Sequence, residues 1–167
     1  MLRISKLADY GIVLASHLAS HGAREVHAVS DLSAETGIPQ PTVSKVLKRL
    51  ARGGVAESQR GARGGYRLAR HPEEVTLAEI LIAIEGPIAV TECSTDEAPG
   101  ACDFEGACDV QSSWQFINRA VQQALEGVRL GDLVRMARSP LVPLARSAEE
   151  ALEMRSAASP KTPDSPA

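Results

Sequence analysis

Cys93, Cys102 and Cys108 are the only three cysteines of the 167-residue chain, and all lie in one sixteen-residue stretch free of Lys and Arg. An odd number of thiols confined to one loop cannot form a disulfide scaffold, which would spread its bridges across the fold. Pro99, Gly100 and Gly106 surround them, with six acids: Glu92, Asp96, Glu97, Asp103, Glu105 and Asp109. That composition argues against inert buried thiols. A redox nucleophile wants a cation or helix N-terminus beside it, yet the nearest basic residues in sequence are Arg70 and Arg119. A bound metal would supply the missing positive charge. Zinc prefers four ligands in closely paired spacings, so C-x8-C-x5-C with no fourth Cys and no His in the loop suits it poorly. Iron–sulfur clusters accept wider spacing and mixed ligation. The chemistry favours a cluster, with zinc and thiol redox as the alternatives.

The elements that must position this loop are legible from periodicity and charge. Residues 1–70 carry eleven Lys/Arg against five Asp/Glu, a charge of +6, while residues 71–167 carry seven against sixteen, a charge of −9. A basic module is joined to an acidic one, and nucleic-acid contact depends on the charge of the docking face rather than on the overall −3. The amphipathic N-terminus, with Arg3, Lys6 and Asp9, lacks the core of a signal peptide, and no uncharged apolar run could span a bilayer. The expected compartment is the cytoplasm, without membrane attachment, where thiols stay reduced.

Leu7, Tyr10, Leu14 and Leu18 form one helical stripe over residues 5–20, closed by His21 and Gly22. His17 and His21 share the i, i+4 spacing of a metal pair, but at a helix C-terminus they read as solvated, dipole-compatible residues. Ser30 is the expected N-cap of a short helix to Thr36, and Gly37 supplies a left-handed turn. A second helix begins at Pro39 to Pro41 and runs to Arg52, with Val43, Val46, Leu47 and Leu50 inward and Pro41, Ser44, Lys45, Lys48 and Arg52 outward. This is the layout of a recognition helix, with Gln40, Thr42, Ser44, Lys45, Lys48 and Arg52 as candidate DNA contacts.

Val55–Gln59 and Tyr66–Ala69 flank a turn rich in Gly and Arg and predict a β-hairpin wing, with Arg60 and Arg63 reaching DNA from its tip. Thr76 to Glu79 is a capping box opening a helix with Leu77, Ile80, Leu81 and Ile84 inward. Trp114, Ile117, Val121, Leu125 and Val128 continue a stripe of about 20 Å, remote from the N-terminal core, which calls for a partner helix from a second copy. A short helix over Leu130–Ala137 follows. The expected fold is mainly α: a winged helix-turn-helix domain over 1–86, a metal-binding cysteine loop over 87–110, a dimerisation helix and short helix over 111–138, and a flexible Pro/Ser/Ala-rich tail over 139–167.

KLADYGIVLASHLA, IPQPTVSKVLKRL, QRGARGGYRLA, VTLAEILIAIEGPI and the C-x8-C-x5-C loop, in this order, resemble the winged-helix iron–sulfur regulators that include IscR and NsrR. The resemblance covers about residues 1–137 and is nearest to regulators of SUF-type iron–sulfur assembly. It implies a homodimeric repressor, not an enzyme, that binds a DNA operator through the second helix of the motif and the wing, with Arg60 entering the minor groove. It also implies a [2Fe–2S] cluster on Cys93, Cys102 and Cys108. IscR-like members place a histidine ligand three residues after the third cysteine, where this chain has Gln111. In some NsrR-like relatives a first-helix carboxylate of the other subunit serves, and Asp9 occupies the matching place. Asp9 of the partner subunit is the expected fourth ligand, with Glu92, Asp109, Gln111, water or a small thiol as alternatives.

Overall fold

The computed structural model describes residues 4–22, 24–61, 64–91, 102 and 108–138. The chain divides into units Met1–Arg135 and Met136–Ala167, and the architecture below is that of the first. The order is α1 (Lys6–Ser20), α2 (Val29–Thr36), α3 (Gln40–Arg52), β1 (Ala56–Gln59), β2 (Gly65–Leu68), α4 (Leu77–Glu85), α5 (Gln111–Glu126) and α6 (Leu130–Arg138). The tail expected over 139–167 lies outside the described residues.

Helix α1 starts where the Ser5 hydroxyl accepts the Ala8 N–H at 3.2 Å. Its stripe buries Ala8, Leu14, Ala15 and Leu18. The N-cap of helix α2 lies two residues before the Ser30 expected to hold that position. Ala28 holds the N-cap position without a side-chain bond, and the Ser30 hydroxyl turns to Asp31 at 3.0 Å instead. Packing of Leu32, fully buried, fixes this short helix where capping does not. Gly37 ends it at φ 71°, donating its N–H to the Ser33 carbonyl at 3.0 Å, and residues 37–39 then turn the chain into α3.

The four inward residues expected of α3, Val43, Val46, Leu47 and Leu50, are all at 0% exposure. With Leu14, Leu32, Val55, Val75, Ile80, Ile84 and Leu130 they form one aliphatic core, as the low aromatic content requires. Gly54, at φ 72°, swings the chain from α3 directly into the wing. The wing strands pair antiparallel as Ala56↔Leu68, Glu57↔Arg67, Ser58↔Tyr66 and Gln59↔Gly65, one residue later at the start of β1 and one residue earlier in β2 than alternation suggested. A further bridge joins His27 to Tyr66, so the segment before α2 acts as a third rung beside the hairpin.

Helix α4 carries the full capping box: the Thr76 hydroxyl accepts the Glu79 N–H at 3.1 Å and a Glu79 carboxylate oxygen accepts the Thr76 N–H at 2.8 Å. Burial pushes the Glu79 carboxyl up, but the Thr76 N–H and the Arg70 guanidinium outweigh it and hold the group below its ordinary value. Helix α4 packs on α1, α3 and α5. Helix α5 is therefore not remote from the N-terminal core: Leu125 packs against it, while Val128 lies beyond the helix end and its carbonyl accepts the Leu77 N–H at 2.9 Å. The Leu130 N–H in turn donates to the Val75 carbonyl at 2.9 Å, stitching the return from α5 to the entry of α4. Helix α6 extends one residue past the expected Ala137. Among the described residues, no helix is long and apolar enough to cross a membrane.

Candidate nucleic-acid interface and metal centre

Helix α3 contains no Asp or Glu, and its amphipathic spacing sorts aliphatic residues inward and cations outward. Gln40, Pro41, Lys45, Lys48 and Arg52 are exposed, while Thr42 and Ser44 are half-buried. Lys45, Lys48, Arg52 and the exposed wing residue Arg60 have no ion-pair partner among the described residues. Other arginines are already committed: Arg67 pairs with Glu57 across the hairpin at 2.5 Å, and Arg70 pairs with Glu79 at 2.6 Å. Four cations without an ion-pair partner among the described residues thus lie on α3 and the wing that follows it, an arrangement suited to phosphate contact. Arg63 lies outside the described residues.

Sequence periodicity alone did not single out Arg49. It is half-buried and donates from its guanidinium to the Ile84 carbonyl, fastening the C-terminal turn of α3 to the end of α4. Gly53 permits the same approach, since a Cβ there would lie 3.1 Å from Ala83 Cα and nearer still to its Cβ. Helix α3 is therefore locked to α4 rather than merely resting on it.

Of the expected cluster ligands, Cys93 lies outside the described residues. Cys102 and Cys108 are half-buried and free of disulfide linkage. Cys108 sits at the entry to α5, where its carbonyl accepts the Gln111 N–H at 3.2 Å. Gln111, which stands where a histidine ligand was sought, is the first residue of that helix and half-buried; Asp109 is exposed beside it, and Glu92 lies outside the described residues. Asp9 is exposed in the first turn of α1, with no side-chain partner among the described residues. Cysteine thiols of this kind can hold a metal cluster or respond to oxidation directly.

Residues 4–136 match the Rrf2 family, described as iron-dependent transcriptional regulators. The chain belongs to the Rrf2 family. It is 27% identical over 134 residues to protein rrf2 of Nitratidesulfovibrio vulgaris, covering 80% of this chain and 88% of that one. The solved structure of CymR, the global cysteine regulator of Bacillus subtilis, superposes with a TM-score of 0.62 at 27% identity over 81% of this chain and 98% of that one. The fold is shared too with the IscR of T. potens, at a TM-score of 0.61 and 21% identity over 86% of this chain and 96% of that one. The chain is thus a winged-helix transcriptional regulator of the Rrf2 family rather than an enzyme.

The fold also brings together residues that periodicity could not. His21 is exposed as expected and His17 half-buried; their rings lie 4.4 Å apart between centroids, and His17 Nε2 lies 2.5 Å from a Glu35 carboxylate oxygen. Only the two histidines were visible in the sequence as an i, i+4 pair; Glu35 reaches them through the packing of α2 on α1.

Proposed function

We propose that this Rrf2-family regulator acts as a cytoplasmic homodimer that binds an operator through α3 and the wing, represses iron–sulfur assembly genes, and responds to a [2Fe–2S] cluster. Cys93, Cys102 and Cys108 would hold the cluster, with Asp9 of a second subunit completing the set. When bound, the cluster supplies one-electron redox chemistry and an oxidant-sensitive set of metal–ligand bonds. Gln40, Thr42, Ser44, Lys45, Lys48 and Arg52 would face the major groove, with Arg60 and Arg63 at the minor groove or phosphates.

The observation that carries this reading is the chain of contacts from Cys108 to the recognition helix. Cys108 anchors the start of α5, the Asn118 side chain on α5 accepts the Val90 N–H at 3.0 Å, α5 packs on α4, and α4 accepts Arg49 of α3. A change in how the cysteine loop is held would be passed to α3 through packed, hydrogen-bonded elements. Dimerisation is supported by apolar side chains left outward at α5: Val110 at 51%, Phe116 at 68% and Ile117 at 40% exposure.

A second reading is favoured by the similarity to CymR, the global cysteine regulator of Bacillus subtilis. In it the thiols respond without a metal. Operator binding separates the two. Duplex fragments selected from a random pool by anaerobically purified protein should bind holo and iron-depleted protein with affinities differing at least about tenfold, about 1.4 kcal/mol. Equal affinities, with a response only to thiol oxidation, would replace the cluster reading with the thiol one.

A further inference from the structure

Three of the four histidines of the chain converge where α1 ends. His17 and His21 stand one turn apart on α1, His27 lies on the segment that bridges to β2, and Glu35 is in the last turn of α2. The His27 ring centroid is 5.4 Å from that of His21 and 6.0 Å from that of His17, each pair edge-on. One ligand atom from each of His17, His21 and Glu35 falls within 4.8 Å of the others.

Two further observations point to a ligand rather than to a simple ion pair. His27 is only 8% exposed, and its Nε2 is buried without a hydrogen-bond partner. Buried polar atoms are rarely left unpaired, so such an atom beside two other imidazoles calls for an explanation. His21 Nδ1 lies 3.1 Å from the His17 carbonyl. Ser20 Oγ lies 3.1 Å from the same nitrogen, so an Nδ1–H has two acceptors there, and the tautomer that carries it leaves Nε2 with its lone pair free, the outer-shell arrangement typical of metal-ligating histidines.

We propose that His17, His21 and Glu35 bind one divalent transition-metal ion of the zinc class, with the buried His27 ring edge-on beside the site. Imidazole and carboxylate together suit zinc rather than calcium or magnesium, which take oxygen ligands. Zinc bonds of about 2.0–2.1 Å set tetrahedral ligand atoms roughly 3.3 Å apart. The present spread of up to 4.8 Å closes by side-chain rotation, and the 2.5 Å His17–Glu35 pair opens by less than about an ångström to admit the ion. The ion ties the C-terminus of α1 to the end of α2. The His27 ring packed beside the site continues to the wing, because His27 and Tyr66 exchange two backbone hydrogen bonds of 2.9 Å. Metal status is thereby read by the DNA-facing elements at a place separate from the cysteine loop.

The test uses the full-length chain with Cys93, Cys102 and Cys108 changed to Ser, so that thiolates do not compete, stripped of metal and titrated with zinc chloride by calorimetry. One ion per chain is expected. Glu35→Gln and His21→Ala, both at exposed positions where folding is not at stake, should each weaken binding at least about tenfold, while His71→Ala leaves it unchanged. Zinc should also raise the Tm of the parent and leave that of Glu35→Gln unmoved. Absence of stoichiometric binding, or equal binding by the parent and both variants, overturns the site.

Discussion

Gly65 opens β2, and its hydrogen side is filled by the backbone of the segment before α2. A Cβ built on Gly65 would lie 2.6 Å from the His27 carbonyl carbon, closer still to its oxygen, and 3.1 Å from the Ala28 nitrogen. These are backbone atoms, so no rotamer change relieves the overlap, and Gly65→Ala must push the His27 segment off the wing by roughly an ångström. That displacement breaks the His27–Tyr66 pair, two hydrogen bonds of 2.9 Å each. At about 0.5–1.5 kcal/mol net per bond the loss comes to about 1–3 kcal/mol. With a urea slope of about 2 kcal/mol/M, the unfolding midpoint should fall by about 0.5–1.5 M. Amide exchange should speed selectively at His27 and Tyr66 while the amides of α3 stay protected. Gly37→Ala is the contrast. Nothing stands within 4 Å of its Cβ position, so only its φ of 71° is penalised, at about 1 kcal/mol. An unchanged midpoint for Gly65→Ala, with slow exchange retained at both amides, would refute the close-approach argument.

Leu50→Ala, at a position with 0% exposure on the inward face of α3, should cost about 2–5 kcal/mol in urea unfolding, and a cost below about 1 would contradict the core assignment. Thr76→Ala removes the hydroxyl of the capping box and should destabilise by about 1 kcal/mol. Because the folded Glu79 carboxyl is held below its ordinary value, its contribution is present above the unfolded value and lost as pH falls through the folded one. Glu79→Gln should therefore destabilise near pH 7 and approach parity with the parent as pH falls through the folded carboxyl's lowered value; a deficit that stays equal down the acid limb would refute the charge argument. Lys45→Ala and Lys48→Ala should each weaken binding to selected duplex and reduce the slope of log affinity against log salt by about 1 per contact removed in each subunit, leaving Tm within about 1 °C.

Helix α3 was readable because amphipathic spacing and packing agree: the four residues placed inward by period are the four that are fully buried. The capping box of α4 was readable because it is local, two side chains three residues apart. Ser30 misled because a good capping residue does not outweigh the burial of Leu32, which sets where α2 begins. The stripe of α5 gave the helix but not its attachment, since the Leu125 contact and the Val128 carbonyl depend on where α4 lies. Arg49 and Glu35 were missed for the same reason: their partners, the Ile84 carbonyl and His17, are 35 and 18 residues away in sequence. The cysteine spacing spoke to ligand chemistry without naming a fourth donor, because Gln111 stands where a histidine would have marked one locally.

Iron and acid-labile sulfide measured on anaerobically purified full-length protein, together with its visible absorbance, test the central claim most directly. The account predicts about two irons per chain with visible charge-transfer bands, lost in Cys102→Ser and perturbed in Asp9→Ala. Colourless protein with neither iron nor sulfide, or with zinc retained on the cysteines instead, would contradict it.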